Sequence, residues 1–431
     1  MQRARFGFVA ALLAALAGPA GSAEATTRTW PGAVPCDGTL QACVDAADAG
    51  DVVEIATAGP ILEDVSFEKP LTLRAQAGAA PRFGGFHSVI GGLASGSGTV
   101  RIEGLAMTQG SIRIYHASPG ALVAEIVGNT VEDVVFGGPA LEVYASGSGT
   151  PGAMTAVIAG NSVTVPAGDQ TGGIAVSSFP LQPMAASVTG NTVAMGSNTQ
   201  GAAIGIWGQG SIDVFSNAVS GQDFNTGIGF YATGGGTVRV FNNLVSGQSG
   251  NSGAPSAIVV HGNEHTIEAL IGNNTLVENE TGVFCTARDD LGGYLEGGVR
   301  NNLFVGNQRG FVRDAPFAAS LPDSYNLFHA NVVDVGYEED PEVPGPSSVF
   351  AAPIFVAGYH LRADSPGVDH GDPGFVPQDL PSDIEGNPRV AGVTVDIGAY
   401  EVFVPEPGGA ALAAAAALLT LARASRCTSH A

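Results

Sequence analysis

The sequence predicts an all-β chain of stacked parallel coils, on three observations. First, one template recurs: an aliphatic residue, two variable residues, Asn, one variable residue and a second apolar residue. Its asparagines are Asn129, Asn161, Asn191, Asn217, Asn243, Asn274 and Asn302, at intervals of 32, 30, 26, 26, 31 and 28 residues. Second, each repeat carries an earlier pair of alternating apolar residues, as in Leu141 and Val143, Ile204 and Ile206, or Ile258 and Val260. Period two is the mark of a strand with one buried face. Third, charged residues make up only 13% of the 431-residue chain and apolar residues 45%, which excludes general disorder. The 62 glycines show no period of three, which excludes collagen.

Each element follows from these patterns. Three residues before the asparagines stand Ile126, Ile158, Val188, Val214, Val240, Ile271 and Val299, and two after them Val131, Val163, Val193, Val219, Val245, Leu276 and Phe304. Every flanking position is apolar, so each repeat contributes at least two short strands joined through an Asn corner. Asn tolerates left-handed backbone, so the corner conformation is assigned to the asparagine itself, and these asparagines are expected to stack on successive coils as a ladder with their amides aligned. A single coil cannot bury its apolar face, whereas coils stacked about 4.8 Å apart turn the aliphatic positions into internal ladders. At about 28 residues per repeat, the span from Val52 to Phe328 holds roughly ten coils. A β-propeller fits poorly, since its repeats need about 40–45 residues and four strands.

The pattern resembles the right-handed parallel β-helix family over about 280 residues. The resemblance implies an N-terminal helical cap over the first coil, here the stretch carrying Thr39, Leu40, Cys43 and Ala47 ahead of the strand Val52 to Ile55. Cys36 and Cys43 flank Asp37, Gly38 and Thr39 at the start of that stretch, close enough for a local disulfide. Cys285 falls in a strand pattern whose alternate positions are apolar, where a buried, unreactive thiol is expected. Toward the C-terminus, Tyr359, His360 and Leu361, then Ser365, Pro366, Val368, Asp369, Gly371 and Asp372, then Asp383, Gly386, Pro388 and Arg389, and Asp396 to Glu401 resemble the choice-of-anchor Q ending of surface β-helix proteins. That resemblance implies a terminal coil plus cap.

The two ends read as addresses. Arg3 and Arg5, an apolar run and small residues closing at Ala23 form the three-part pattern of a secretory signal peptide. At the other end Pro405, Glu406 and Pro407 precede an Ala- and Leu-rich stretch and then Arg423 and Arg426, which resembles a PEP-CTERM sorting signal. The resemblance implies a Gram-negative exporter, an exosortase-type processing enzyme as partner, and transient membrane insertion through the C-terminal helix. The expected organisation is a signal peptide at 1–23, a capped β-helix at 24–335, a loop and terminal cap at 336–403, and the sorting segment at 404–431. The protein is expected at the cell surface or outside the cell.

Candidate chemistry is sparse. A net charge of −23, with one lysine, excludes nucleic acid as partner. Polysaccharide lyases and glycoside hydrolases need clustered carboxylates, and the best adjacent pair is Asp289 and Asp290 beside Arg288. Their Gly-rich context equally suits a solvated loop. His261, Glu264, His265 and Glu268 form a polar cluster with no strict metal-ligand spacing. Asp369, Asp372, Asp379, Asp383 and Glu385 offer hard oxygens for calcium, though ordinary Asx turns use the same residues. No cofactor is otherwise indicated. The residues that follow each inward strand pair are Tyr144, Ser177, Trp207, Tyr231, His261 and Thr286, which must point outward. Four carry rings, so Tyr144, Trp207, Tyr231 and His261 are the candidate polysaccharide contacts, although cross-strand aromatics also stabilise sheets without binding anything. The expected function is a non-catalytic exported protein that associates with extracellular polysaccharide, with a carbohydrate-active enzyme as the alternative.

Overall fold

The computed structural model describes residues 25–403, apart from 135–137, 146–151, 169–171, 179–181, 198–200, 222–225, 249–254, 264, 288–292 and 315–320. It is a parallel β-solenoid of about ten turns with almost no helix. Each turn presents three strands in order. The first face begins at Val65–Phe67 and continues through strands such as Leu141–Ala145 and Ile174–Ser178 to Val333–Val335. The second runs from Thr27–Trp30 and Val52–Ile55 to Asp323–Ser324, and the third from Pro60–Ile61 to Leu327–His329. Every strand pairs in parallel with its counterparts one turn above and below, for example Leu141 with Ile174 and Ile174 with Ile204. Alternation of apolar and polar residues selects which face of each strand points in, and the inward positions close into one continuous core whose members Ile126, Val131, Ile206 and Val283 are fully buried.

The second and third faces meet at the ladder asparagines, all buried. The Asn161 N–H donates to Asn191 Oδ1 (2.9 Å), the Asn191 N–H to Asn217 Oδ1 (3.0 Å) and the Asn217 N–H to Asn243 Oδ1 (2.9 Å). Each amide Nδ2 donates in turn to a backbone carbonyl, as Asn191 does to Ile158 O at 2.9 Å and Asn217 to Val188 O at 2.8 Å. The stack begins at the Leu105 N–H, which donates to Asn129 Oδ1, and ends on Asn326. The left-handed backbone lies one residue earlier than the sequence suggested, at Gly128, Gly160, Gly190, Ser216, Asn242, Asn273 and Asn301. Those residues make the turn, and the ladder asparagine is selected by its amide, which satisfies groups on two coils at once.

A second ladder, absent from the sequence reading, runs five residues further on. The Gln248 N–H donates to Asn279 Oδ1, the Asn279 N–H to Asn307 Oδ1 and the Asn307 N–H to Asn331 Oδ1. Its signal was present, because Asn279, Asn307 and Asn331 repeat the 28- and 24-residue steps of Asn274, Asn302 and Asn326.

At the N-terminal end a six-residue helix, Leu40–Asp45, is capped by Thr39 Oγ1 accepting from the Ala42 N–H, and it buries Leu40, Cys43 and Val44. A Cys36–Cys43 disulfide, with Cα atoms 4.4 Å apart, ties it to the preceding loop. The sheet starts one strand before Val52, at Thr27–Trp30, which pairs with Val52–Ile55. At the other end a final coil reaches Val349, which bridges Leu327. Residues 353–403 then pack along the outside of the solenoid. Arg239 pairs with Asp379 (2.8 Å) and Arg300 with Asp372 (3.0 Å), Asn242 Nδ2 donates to Ser382 O and Asn273 Nδ2 to Asp396 O. A small second core of Leu303, Leu327, Leu361, Val368 and Ile397 joins this flank segment to the third face. The segment implied as a cap is thus a strap over successive coils.

Candidate aromatic binding face

The first face places the ring-bearing residues in one row. Tyr115 pairs with Tyr144, Tyr144 with Ser177, Ser177 with Trp207, Trp207 with Tyr231 and Tyr231 with His261. All are partly exposed. Tyr115, at the head of the row, was not read from the sequence, although Ile112 and Ile114 give it the same period-two signal as Tyr144.

The rings are not separate flat plates. Trp207 and Tyr231 stack with centroids 5.4 Å apart and planes 11° from parallel, and Tyr231 meets His261 at 6.4 Å with a tilt of 36°. Both stacked rings recline along their strands over glycine. A Cβ built on Gly205 would lie 2.3 Å from the Trp207 indole, and one on Gly229 would lie 2.8 Å from the Tyr231 ring. The pattern Gly, apolar, aromatic in Gly205 to Trp207 and Gly229 to Tyr231 therefore gives an overlapped aromatic shelf that any larger residue would lift. In these two coils the strands run unbroken from the first face to the second, as Ala202–Phe215 and Thr226–Phe241, with a register shift at Gly208 to Gly210. Tyr115 and Tyr144 form a second pair, 6.3 Å apart. The Tyr115 hydroxyl is pushed above its ordinary range by burial and by its hydrogen bond to Glu68.

The other candidates are scattered. Arg288, Asp289 and Asp290 lie outside the described residues, as do the sorting motif Pro405, Glu406 and Pro407 and the N-terminal 1–23. Among the described residues no helix is long and apolar enough to cross a membrane. His261 Nε2 contacts Asn263 Oδ1 (3.0 Å), while His265 and Glu268 are exposed and Glu268 accepts from Thr237 Oγ1. Asp369 Oδ1 accepts from the Val393 and Thr394 N–H groups, and Asp383 Oδ1 from those of Glu385 and Asn387. These carboxylates are occupied in holding loops, and among the described residues no three potential ligand side chains converge on a metal position. Burial pushes the Cys285 thiol up to about 12, so it is inert as a nucleophile.

A cleft of about 410 Å³ was not foreseen. Glu278, Glu280, Gln308, Arg309 and Glu338 line it. Glu278 and Glu280 flank the buried second-ladder residue Asn279, and Arg309 lies 3.7 Å from Glu280. The signal was the alternation of Glu around that asparagine, which acquires meaning only once the second ladder is known.

No protein-family model matches the sequence, and no curated protein matches it. Among solved structures, that of the PL6 family alginate lyase AlyGC is similar, with a TM-score of 0.33 and 13% identity over 89% of this chain. The chain spans 59% of the length of that solved chain.

Proposed function

We propose that this chain is a non-catalytic β-solenoid of the cell surface or extracellular space that holds extracellular polysaccharide against its first face. The observation that carries the reading is the Trp207 and Tyr231 shelf, two rings reclining over glycines on the exterior of the coil, continued by His261. Aromatic faces rest well against the apolar faces of pyranose rings, and coils about 4.8 Å apart repeat at the scale of single sugar units. Export through the signal peptide at 1–23 and sorting through Pro405, Glu406 and Pro407, with an exosortase-type enzyme and passing membrane insertion, belong to the same proposal and rest on their sequence patterns. Replacing Trp207 and Tyr231 together by Ala is expected to weaken binding to immobilised glycan at least tenfold, a loss of about 1.4 kcal/mol or more, with little change in melting temperature. Undiminished binding by the double variant would reduce the row to sheet packing. A second reading, a glycoside hydrolase working in the cleft of Glu278, Glu280 and Glu338, is favoured by that grouping of carboxylates. A reducing-end and unsaturated-product assay over a polysaccharide panel decides between the two.

A further inference from the structure

We infer that the glycan held on the first face is a neutral polysaccharide and that polyuronates and sulfated glycans are refused, an inference that rests on the aromatic-face reading above. Every arginine among the described residues lies against a carboxyl group, from Arg28 beside Asp51 to Arg389 beside Glu401. The single lysine, Lys69, donates its ammonium hydrogens to the carbonyl oxygens of Asp45 and Ala47. Against these stand 40 acidic residues and a net charge of −23.

The row itself repeats the pattern. Arg113, two residues before Tyr115, lies 3.6 Å from Glu142, two residues before Tyr144. Glu68 bonds the Tyr115 hydroxyl, and Asp314 accepts from Thr286 Oγ1 at the far end. An anionic chain laid along the rings would meet carboxylates and find the Arg113 charge already countered by Glu142, so each sugar charge would lose hydration without gaining a counterion. A neutral chain meets ring faces for its apolar sides and, for its hydroxyls, the partly exposed Ser177 between the two aromatic groups and Asn263 beside His261. Tyr115 to His261 is five steps, about 24 Å at 4.8 Å per coil, room for a short run of sugars along the solenoid axis.

The test uses the full chain with two probes, a soluble neutral β-glucan and alginate as polyuronate, on wild type and on the Trp207→Ala, Tyr231→Ala double variant, at 20 mM and 500 mM NaCl. The expected result is β-glucan binding that is unchanged by salt and lost in the double variant, with alginate bound at least tenfold more weakly at both salt levels. Alginate binding that equals or exceeds that of β-glucan and is lost in the double variant would overturn the neutral class while leaving the aromatic face in place. Binding of either probe that survives the double variant, or no binding of either, would overturn the aromatic-face reading itself and the inference with it.

Discussion

At the scale of single residues, the asparagine ladder shows how one side chain fixes a corner. Asn217 accepts from the Asn191 N–H through Oδ1 and donates through Nδ2 to Val188 O and Asn243 Oδ1, with no exposure to water. Removing the amide takes the partner from a buried donor, the Asn191 N–H, and from a buried acceptor, Val188 O, both on the preceding coil, and each such group costs about 1–3 kcal/mol. Asn217→Ala is therefore expected to lower stability by about 3 kcal/mol in urea unfolding, while Asn331→Ala, at the half-exposed end of the second ladder, costs about 1 kcal/mol. Equal losses at the two sites would show that the ladder does not act through burial. The positions of the first-ladder asparagines were legible because apolar neighbours repeat on both sides. Their stacking as a ladder was legible for the same reason, but the turn was not, because it is made by the residue before each one, and neither Ser216 nor Gly190 stands out in a one-dimensional pattern. The reclining of Trp207 and Tyr231 was likewise hidden, since nothing in a one-dimensional pattern ties Gly205 and Gly229 to the rings two residues further on.

The strands of the solenoid were visible from periodicity, whereas the flank segment at 353–403 was not, because it has no regular strands to repeat. Its composition of Asp, Gly and Pro signals turns but does not say what the turns rest on. It is held by a buried group of charges. Arg389 lies 3.3 Å from Glu401 and donates to Asp396 O and Gly398 O. Burial raises the Glu401 carboxyl to about 8 from an ordinary 4.5, against the pull of Arg389, and raises Asp396 to about 6 from 3.8. Arg389 is itself pulled below its ordinary value by burial, and Asp383 and Asp369 are the other acids that face the group. Because these folded-state values lie above the unfolded ones, their contribution is fully present below about pH 4 and is lost as pH rises through 6 and then 8. Asp51 runs the other way. Burial opposes its charge, yet the Thr26 and Asp48 N–H groups and Arg28 hold it down at about 2, so its contribution falls away only in strong acid, below this window. The melting temperature is thus expected to drop between pH 5 and pH 8.5, and Glu401→Gln, which cannot ionise, is expected to flatten that drop. A variant with the wild-type pH dependence would remove Glu401 from the account.

Over the whole molecule, the same coil-on-coil contacts that build the core decide how damage spreads. Each turn is bonded and packed only against its neighbours and, between Arg239 and Leu327, against the flank segment. Stability in such a stack is close to a sum of coil terms and nearest-neighbour terms, so a central defect weakens the coils around it before it reaches the ends. Ile206 sits at the middle of this arrangement, fully buried between Val176 and Phe230 on adjacent turns and directly before Trp207 in sequence. Ile206→Ala removes buried methyl groups and leaves a cavity, at an expected cost of about 2–5 kcal/mol. Hydrogen exchange in this variant is expected to quicken first in the strands Ile174–Ser178, Ala202–Phe215 and Thr226–Phe241, with the N-terminal turns near Val65 protected as in wild type. Glycan binding at 25 °C should survive, because the neighbouring turns still hold the rings in register until the coil opens. Uniform loss of protection along the chain would mean that the solenoid unfolds as one cooperative body, with coupling between coils stronger than the stability of any single turn.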